Sequence, residues 1–452
     1  MKIQYEIWFS SVVCLKIYPI LFQTLCVTSE RREKGMKFIM REAEYCLNCK
    51  NKPCVTGCPL GNNIPEFIKC IKENVIENAY KELSKTTVLS SICGRICPHI
   101  DQCMGKCIRG IKQNPVNIGE LETFVGDFAL KHRLGMAEMD QDCLNKKIAI
   151  IGSGPAGLTC AAFLARHGAN VTIYEKRDKL GGILRYGIPD FRLEKNILDK
   201  VIDNIISLGI DLKTNKCFGK DFRLEDIINY YDAIFLSFGA NISCKMAIPG
   251  EDLNGVFGAN SLLENNNHPN YKGKTVIVVG GGNVAIDAAR VIKKLGAENV
   301  RIVYRRTEDE MPAEKSEIES AKIDGVKFIL KTNILSILGK KRVEKVECIK
   351  TELVKKDECK RLVPVNIKNS NFFLDCDYIV IAIGSKVDEN ITNILNLEKD
   401  EKGFIKVDNN YRTSNEKIFA GGDLIGQKAT VAWAAYSGRI AAEKIVEQIK
   451  NS

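Results

Sequence analysis

The sequence predicts an α/β protein with two parallel strand–helix–strand units, preceded by a helical region rich in cysteine. Three observations predict it. An apolar run Ile148–Ile151 stops at Gly152-Ser153-Gly154-Pro155-Ala156-Gly157, a second run Val276–Val279 stops at Gly280-Gly281-Gly282, and nine of the 18 cysteines fall between Cys46 and Cys107. Over 452 residues, hydrophobic side chains make up 45% and charged ones 27%, a balance that suits a globular protein of two or three domains. The net charge of +10 comes without a basic block or an aromatic-interleaved patch. That speaks against nucleic acid and leaves solubility, or an acidic partner face, as its use.

Residues 7–27 form an apolar stretch that raises a signal peptide or a membrane anchor. Lys16, Pro19 and Gln23 interrupt it and no small-residue cleavage site follows, so no membrane segment is expected. A start placed upstream of the true one, near Met36 or Met40, accounts for the extension 1–35. Further on, Asn62-Asn63-Ile64-Pro65-Glu66-Phe67 reads as a helix start and Glu77–Leu83 as a continued helical period. Leu121, Phe124, Val125, Phe128 and Leu130 give the segment 115–142 a helical spacing as well.

From Lys147 the chain reads strand, tight turn, alanine-rich helix to His167, strand Val171–Tyr174, then Glu175. Gly152 makes the turn, Gly154 lets the backbone approach a pyrophosphate, and Gly157 lets helix pack on strand. The first amides of the helix face phosphates, and Glu175 stands where a carboxylate accepts bonds from a ribose. Glycine turns often serve packing alone. Here strand, helix and acid at the proper interval mark a dinucleotide site of the Rossmann type. The second unit runs from Val276–Val279 through Gly280-Gly281-Gly282-Asn283-Val284-Ala285 and a helix to strand Val300–Tyr304. Tyr231–Gly239 and Asp377–Gly384 each read as a buried strand closing on glycine, equivalent crossovers that leave the first domain and return to it. Lys417–Asp423 is a last strand and turn, with a helix from about Thr430 to Ile449 behind it, so the second domain is inserted into the first.

The two units end their second strands differently, on Glu175 in one and on Arg305-Arg306 in the other. A carboxylate there binds a free 2′-hydroxyl and repels a 2′-phosphate, whereas guanidinium groups pair with the phosphate. The first site is therefore read as FAD and the second as NADPH; solvated arginines at a strand end are the plain alternative. The candidate FAD residues are Gly152, Gly154, Pro155, Ala156, Gly157, Glu175, Lys176 and Gly182, with Gly422 and Asp423 from the last turn. Those for NADPH are Gly280, Gly282, Asn283, Val284, Ala285, Arg305, Arg306 and Gly384.

Cys46, Cys49, Cys54 and Cys58-Pro59 are followed by Cys93, Cys97-Pro98, Cys103 and Cys107. Disulfides do not suit a reducing compartment, and the paired CxxC spacing of zinc sites is absent. A cysteine run with a separate Cys-Pro fits iron–sulfur usage best, because a flavin that takes a hydride needs an outlet for single electrons; two four-cysteine zinc sites are the alternative. On spacing alone, Cys93 completes the second set. Cys70, Cys143, Cys160, Cys217, Cys244, Cys348, Cys359 and Cys376 read as small apolar residues. His99, His132, His167 and His268 sit in no catalytic frame.

With these residues in view the chain resembles, from about Ala43 onward, the small (β) subunit of NADPH-dependent glutamate synthase. That family has relatives in the N-terminal half of dihydropyrimidine dehydrogenase and the large subunit of electron-bifurcating NADH-dependent ferredoxin:NADP oxidoreductase. The eight cysteines, Gly181–Leu193, Gly280–Arg290 and Tyr304–Ala313 carry the resemblance. It implies two [4Fe-4S] clusters, with Cys46, Cys49, Cys54 and Cys107 on one and Cys58, Cys97, Cys103 and Glu122 on the other; Glu122 thus competes with Cys93. It puts Arg185, Gly187, Ile188 and Pro189 close to the flavin, where loop packing is the alternative. The start departs from the family pattern: the apolar extension is expected to stand in place of the family's usual helix before the first cysteine.

The implied architecture is α/β, with two Rossmann-like dinucleotide-binding domains in a glutathione-reductase-like arrangement behind a helical two-cluster iron–sulfur domain. Its expected parts are residues 36–145 for the clusters, 146–270 with 385–452 for FAD, and 271–384 for the inserted NADPH domain. The implied activity is electron entry in a cytoplasmic hetero-oligomer. Electrons from NADPH pass through FAD and the clusters to a large FMN-bearing subunit that makes glutamate from glutamine and 2-oxoglutarate. Ferredoxin-linked bifurcation with a smaller flavoprotein is the second reading. Reduction of pyrimidines or polysulfide is a third, and a redox sensor without turnover a fourth.

Overall fold

The computed structural model describes residues 29–265, 267–355 and 362–451; the apolar stretch 7–27 lies outside them. The chain divides into two compact units, the first holding the residues up to Thr86 with His99–Ala137, the second Thr87–Pro98 with Glu138–Ser452. The first unit is helical, with Ser29–Tyr45, Pro53–Gly57, Ile64–Lys72, Ile76–Ser84 and Ile118–His132 as its α-helices. Pro65 falls in the first turn of its helix, where its missing N–H costs nothing. Phe67, Ile68 and Ile71 recur at helical spacing and meet Leu83, Leu121 and Val125 in one buried core. A helix does precede the first cysteine, contrary to the expectation above. Ser29–Tyr45 is rich in charge, but Ile39 and Ala43 lie one turn apart and are buried in the same core.

The strands belong to the second unit. They are β1 (Lys147–Ile151), β2 (Asn170–Tyr174), β3 (Asp211–Lys213), β4 (Ala233–Leu236), β5 (Ile242–Ser243), β6 (Val256–Gly258), β7 (Thr275–Val279) and β8 (Asn299–Val303). There follow β9 (Lys327–Ile329), β10 (Thr332–Leu338), β11 (Lys345–Val354), β12 (Val363–Asp375), β13 (Tyr378–Ile381), β14 (Ser385–Lys386) and β15 (Ile418–Ala420). One parallel sheet runs β15-β4-β1-β2-β3 and another β6-β13-β7-β8-β9. Their central strands are continuous apolar runs because both faces are covered, as in β4, where Ala233, Ile234, Phe235 and Leu236 are all buried. In each sheet the chain steps outward from a central strand, β1 or β7, and then returns to that strand's other side. Such a reversal opens a crevice beyond the carboxyl ends of the strands.

The two passages between these sheets pair as antiparallel β5 and β14, with Ile242 opposite Lys386 and Ser243 opposite Ser385. They follow the two runs read as crossovers. Strand β6 is already part of the second sheet, so that sheet takes up the chain at Val256. The antiparallel sheet β10-β11-β12 has no counterpart in the sequence reading. In β11 the buried Val346 and Cys348 alternate with Lys345 and Glu347, and the charged positions hid the strand. No described helix is long and apolar enough to cross a membrane.

Candidate cofactor sites

At the carboxyl end of β1, Gly152 turns the chain at φ +101°, and a Cβ there would stand 2.8 Å from the Ser237 carbonyl oxygen. Only glycine fits that turn. A Cβ on Gly157 would come to 2.0 Å from the Gly152 carbonyl oxygen, so the helix Pro155–Arg166 is pressed against the turn it leaves. Gly154 is the opposite case: a Cβ on it would meet nothing within 4 Å. Open backbone at the start of a 12-residue helix is a cradle for a phosphate-bearing ligand. Gly182 closes one side, close enough that a Cβ would stand 2.7 Å from the Gly154 Cα.

Glu175 is 5% exposed. Its carboxylate accepts the Ser153 N–H at 3.1 Å, the Ser153 hydroxyl at 2.6 Å and the Arg177 N–H at 3.0 Å. The turn itself thus fixes the acid in place. Lys176 and Arg177 both face Glu264, at 3.4 and 2.7 Å. Beyond β15, the Gly422 N–H donates to the Ser437 hydroxyl at 2.8 Å, and burial pushes the Asp423 carboxyl up to about 6. An acid sunk beside a phosphate cradle is suited to hydroxyl donors of a ligand, so these residues fit a bound FAD.

Arg185 is engaged within its own loop. Its guanidinium donates to the Leu180 carbonyl at 2.6 Å and to Asp199 at 2.5 Å. Gly187 and Ile188 both donate their N–H to the Ile183 carbonyl, and the Pro189 carbonyl accepts the N–H of Arg192 and Leu193. Two residues here escaped the sequence reading. Lys195 clasps the carbonyls of Ile188 and Leu193 at 2.7 and 2.9 Å, and Arg192 reaches Asp287 at 2.8 Å. The available signal was Asp287, an acid on an otherwise alanine-rich and isoleucine-rich helix face.

At the end of β7, Gly280 lies against Ala382, whose carbonyl oxygen a Cβ would approach to 2.3 Å. The helix Asn283–Lys294 starts there, with Val284 and Ala285 in its first turn. The Glu314 N–H donates to Asn283 Oδ1 at 3.0 Å and the Ala313 N–H to the Gly281 carbonyl at 3.1 Å. Past β8, Arg305 is exposed, and its carbonyl accepts the Thr351 hydroxyl at 2.8 Å. Arg306 Nε is buried without a hydrogen-bond partner among the described residues. One open guanidinium beside one with an unspent donor fits a phosphate. Gly384 follows β13 and accepts the Cys244 N–H at 3.0 Å.

Every described cysteine is free. In the first unit Cys46, Cys49, Cys54 and Cys107 line one small cavity whose walls are otherwise mostly apolar, including Pro53, Ile64, Ile68 and Val116. Burial, and then the neighbouring Cys46 and Cys107, push the Cys54 thiol up to about 11. Cys103 is raised further, first by burial and then by Cys58 and Glu122. Burial pushes Glu122 up to about 8 against one hydrogen bond from Asn62 at 3.3 Å. The donors of this unit therefore sort into two sets, Cys46, Cys49, Cys54 and Cys107 in one and Cys58, Cys103 and Glu122 in the other. Burial disfavours the charged form at Cys54 in the first set and at Cys103 and Glu122 in the second, a condition that a cationic metal centre reverses. Among the described residues no three such side chains converge as they would on a single metal ion. Cys93, within the helix Ser90–Ile96, and Cys97, just after it, are buried and belong to the second unit. Of the remaining cysteines, Cys143, Cys160, Cys348 and Cys376 are buried as expected; Cys359 lies outside the described residues.

Residues 146–438 match the family model of pyridine nucleotide-disulphide oxidoreductases, and residues 27–134 that of dihydropyrimidine dehydrogenase domain II, 4Fe-4S cluster. The protein is thus of the class of FAD-dependent pyridine nucleotide oxidoreductases that carry an iron–sulfur domain. It belongs to the glutamate synthase small-chain family: it is 34% identical over 427 residues to the glutamate synthase [NADPH] small chain of Halomonas elongata, across 90% of each chain. It is also 34% identical over 426 residues to the NADP(+)-dependent formate dehydrogenase subunit beta of Moorella thermoacetica, across 88% of this chain and 60% of that one. Both relatives are named as one chain of a larger enzyme. Among solved structures, FprA from Mycobacterium tuberculosis in complex with NADPH shares the fold, with a TM-score of 0.60 at 20% identity over 68% of this chain and 85% of that one.

Proposed function

We propose that this chain is the electron-entry subunit of an NADPH-dependent glutamate synthase. The observation that carries the reading is its extent: the match spans 90% of both chains for the glutamate synthase small chain, against 60% of the formate dehydrogenase subunit. In this reading Gly154, Pro155 and Ala156 would hold the pyrophosphate of FAD, Glu175 its ribose, and Asp423 would offer a further acceptor. NADPH lies on Gly280–Ala285, with its 2′-phosphate at Arg305 and Arg306. Cys46, Cys49, Cys54 and Cys107 hold one [4Fe-4S] cluster, and Cys58, Cys103 and Glu122 contribute to a second; the grouping of the raised thiols supports Glu122 in that role.

Bound flavin accepts a hydride and releases electrons singly, and iron–sulfur centres carry them one at a time. The chain's own task is placement. Ser153 and Arg177 fix Glu175, Lys195 holds the loop at Ile188, and a largely apolar cavity wall gathers Cys46, Cys49, Cys54 and Cys107. Glutamate would form on the partner subunit from glutamine and 2-oxoglutarate.

Anaerobic mixing with a bacterial glutamate synthase large subunit tests this, with NADPH-dependent glutamate as the readout. Bleaching of the flavin without glutamate would remove the glutamate synthase assignment and favour an electron-transfer subunit for another acceptor. The likeness to the formate dehydrogenase subunit is what speaks for that alternative.

A further inference from the structure

Arg192 and Asp287 are nearly closed to solvent, with side chains 8% and 4% exposed, and they meet at 2.8 Å. The pair joins parts of the second unit that lie 95 residues apart in the chain. Arg192 also faces Glu314 and Glu317, each at 3.6 Å. Glu317 and Asp324 hold Arg290 at 2.5 and 2.8 Å, Lys294 lies 3.6 Å from Asp324, and the Arg290 guanidinium sits 4.3 Å from the centre of the Phe191 ring. Both ends of the pair are stiff. On one side the Pro189 carbonyl and Lys195 fasten the loop Ile188–Leu193. On the other, Asn283 Oδ1 and the Gly281 carbonyl hold Glu314 and Ala313 over the second glycine turn.

A buried ion pair adds little net stability, because desolvation offsets most of the attraction; what it adds is direction. We infer that Arg192 and Asp287 are positioning residues that fix the turn Gly280–Gly282 relative to the loop Gly187–Pro189, and so set the alignment of the nicotinamide on the flavin for hydride transfer. This rests on the placement of FAD and NADPH proposed above. The hydride leaves the nicotinamide with both bonding electrons and is taken up by the flavin; neither Arg192 nor Asp287 exchanges a proton. A misplacement of about 1 Å at the reacting centre costs on the order of a hundredfold in rate.

The test uses the full chain with its flavin. In the double variant Arg192→Leu/Asp287→Leu the two most deeply buried charges leave together, Glu317 keeps Arg290 as a partner and Glu314 has 22% of its side chain open to solvent; such replacements usually keep the fold. Three readouts are taken: the limiting rate of anaerobic flavin bleaching at saturating NADPH, the half-saturating NADPH concentration, and amide hydrogen exchange in residues 183–193 and 283–290 without nucleotide. The double variant should melt near the wild type, slow the limiting rate about tenfold or more and shift half-saturation by less than about threefold. It should also exchange faster in both segments, and Arg192→Lys should recover part of the rate.

Should the double variant not fold, Arg192→Lys and Asp287→Asn decide by the same readouts. A wild-type limiting rate in the variants overturns the inference, and so does a slower rate without faster exchange. If NADPH fails to bleach the wild type, the proposed function falls and takes the inference with it. Bleaching of the wild type with unchanged variants sinks the inference alone.

Discussion

Arg306 keeps a buried guanidinium nitrogen without a hydrogen-bond partner among the described residues, beside the exposed Arg305. An unpaired buried donor is costly unless a ligand satisfies it. If that ligand is the 2′-phosphate of NADPH, Arg305→Ser with Arg306→Ser should weaken NADPH by about 2 kcal/mol, roughly thirtyfold, and leave NADH unchanged. Half-saturation of flavin bleaching by each nucleotide measures it; equal losses for both would contradict the assignment. Asp423 permits a second expectation at this scale. Burial raises its carboxyl from 3.8 to about 6, so the folded chain holds the proton more tightly than the unfolded one. Stability from this group is therefore full below 3.8 and is lost as the pH rises through about 6. In flavin-stripped protein, Asp423→Asn should gain in melting temperature relative to wild type as the pH is raised across that window. A constant difference would mean that the group does not titrate there.

The helix Val431–Lys450 packs on the helix Pro155–Arg166 so closely that a Cβ on Gly438 would stand 2.1 Å from the Ala156 carbonyl oxygen. Gly438→Ala must push the two helices apart, at a cost of about 1–3 kcal/mol. Because Ala156 belongs to the candidate phosphate cradle, flavin should be lost in this variant before the fold is. The ratio of flavin to protein after gel filtration, set beside the melting temperature, checks it. These elements were legible in the sequence because their signals are local. A strand closing on Gly152 or Gly280, with an alanine-rich helix behind it, carries its own pattern. Strand β11 was not legible, since Lys345 and Glu347 face outward and only one side of the strand is apolar. The helix Ser29–Tyr45 was hidden by its charge, with only a narrow buried stripe at Ile39 and Ala43. Arg192 was hidden for a different reason: Asp287 stands out as an acid on an apolar helix face, but the two lie 95 residues apart and only the tertiary fold pairs them.

At the scale of the whole molecule, the chain divides chemistry that arrives in pairs from chemistry that leaves singly. The two glycine turns, with Glu175 beside one and Arg305 and Arg306 beside the other, belong to the second unit. The cavity with Cys46, Cys49, Cys54 and Cys107 belongs to the first. Cys54→Ser removes a thiol from that cavity and touches none of the groups proposed for NADPH or FAD. Anaerobic NADPH should therefore bleach the flavin of the variant as completely as that of the wild type, while iron and sulfide per chain fall by about half. Passage of electrons to a one-electron acceptor protein should fall with them, because reduced flavin would have lost its outlet. The comparison needs iron, sulfide, flavin and protein determined in one sample. Unchanged iron in Cys54→Ser would mean that these thiols line a cavity without holding a cluster. Loss of flavin bleaching together with iron would mean that nucleotide and thiol chemistry are not separable in this chain.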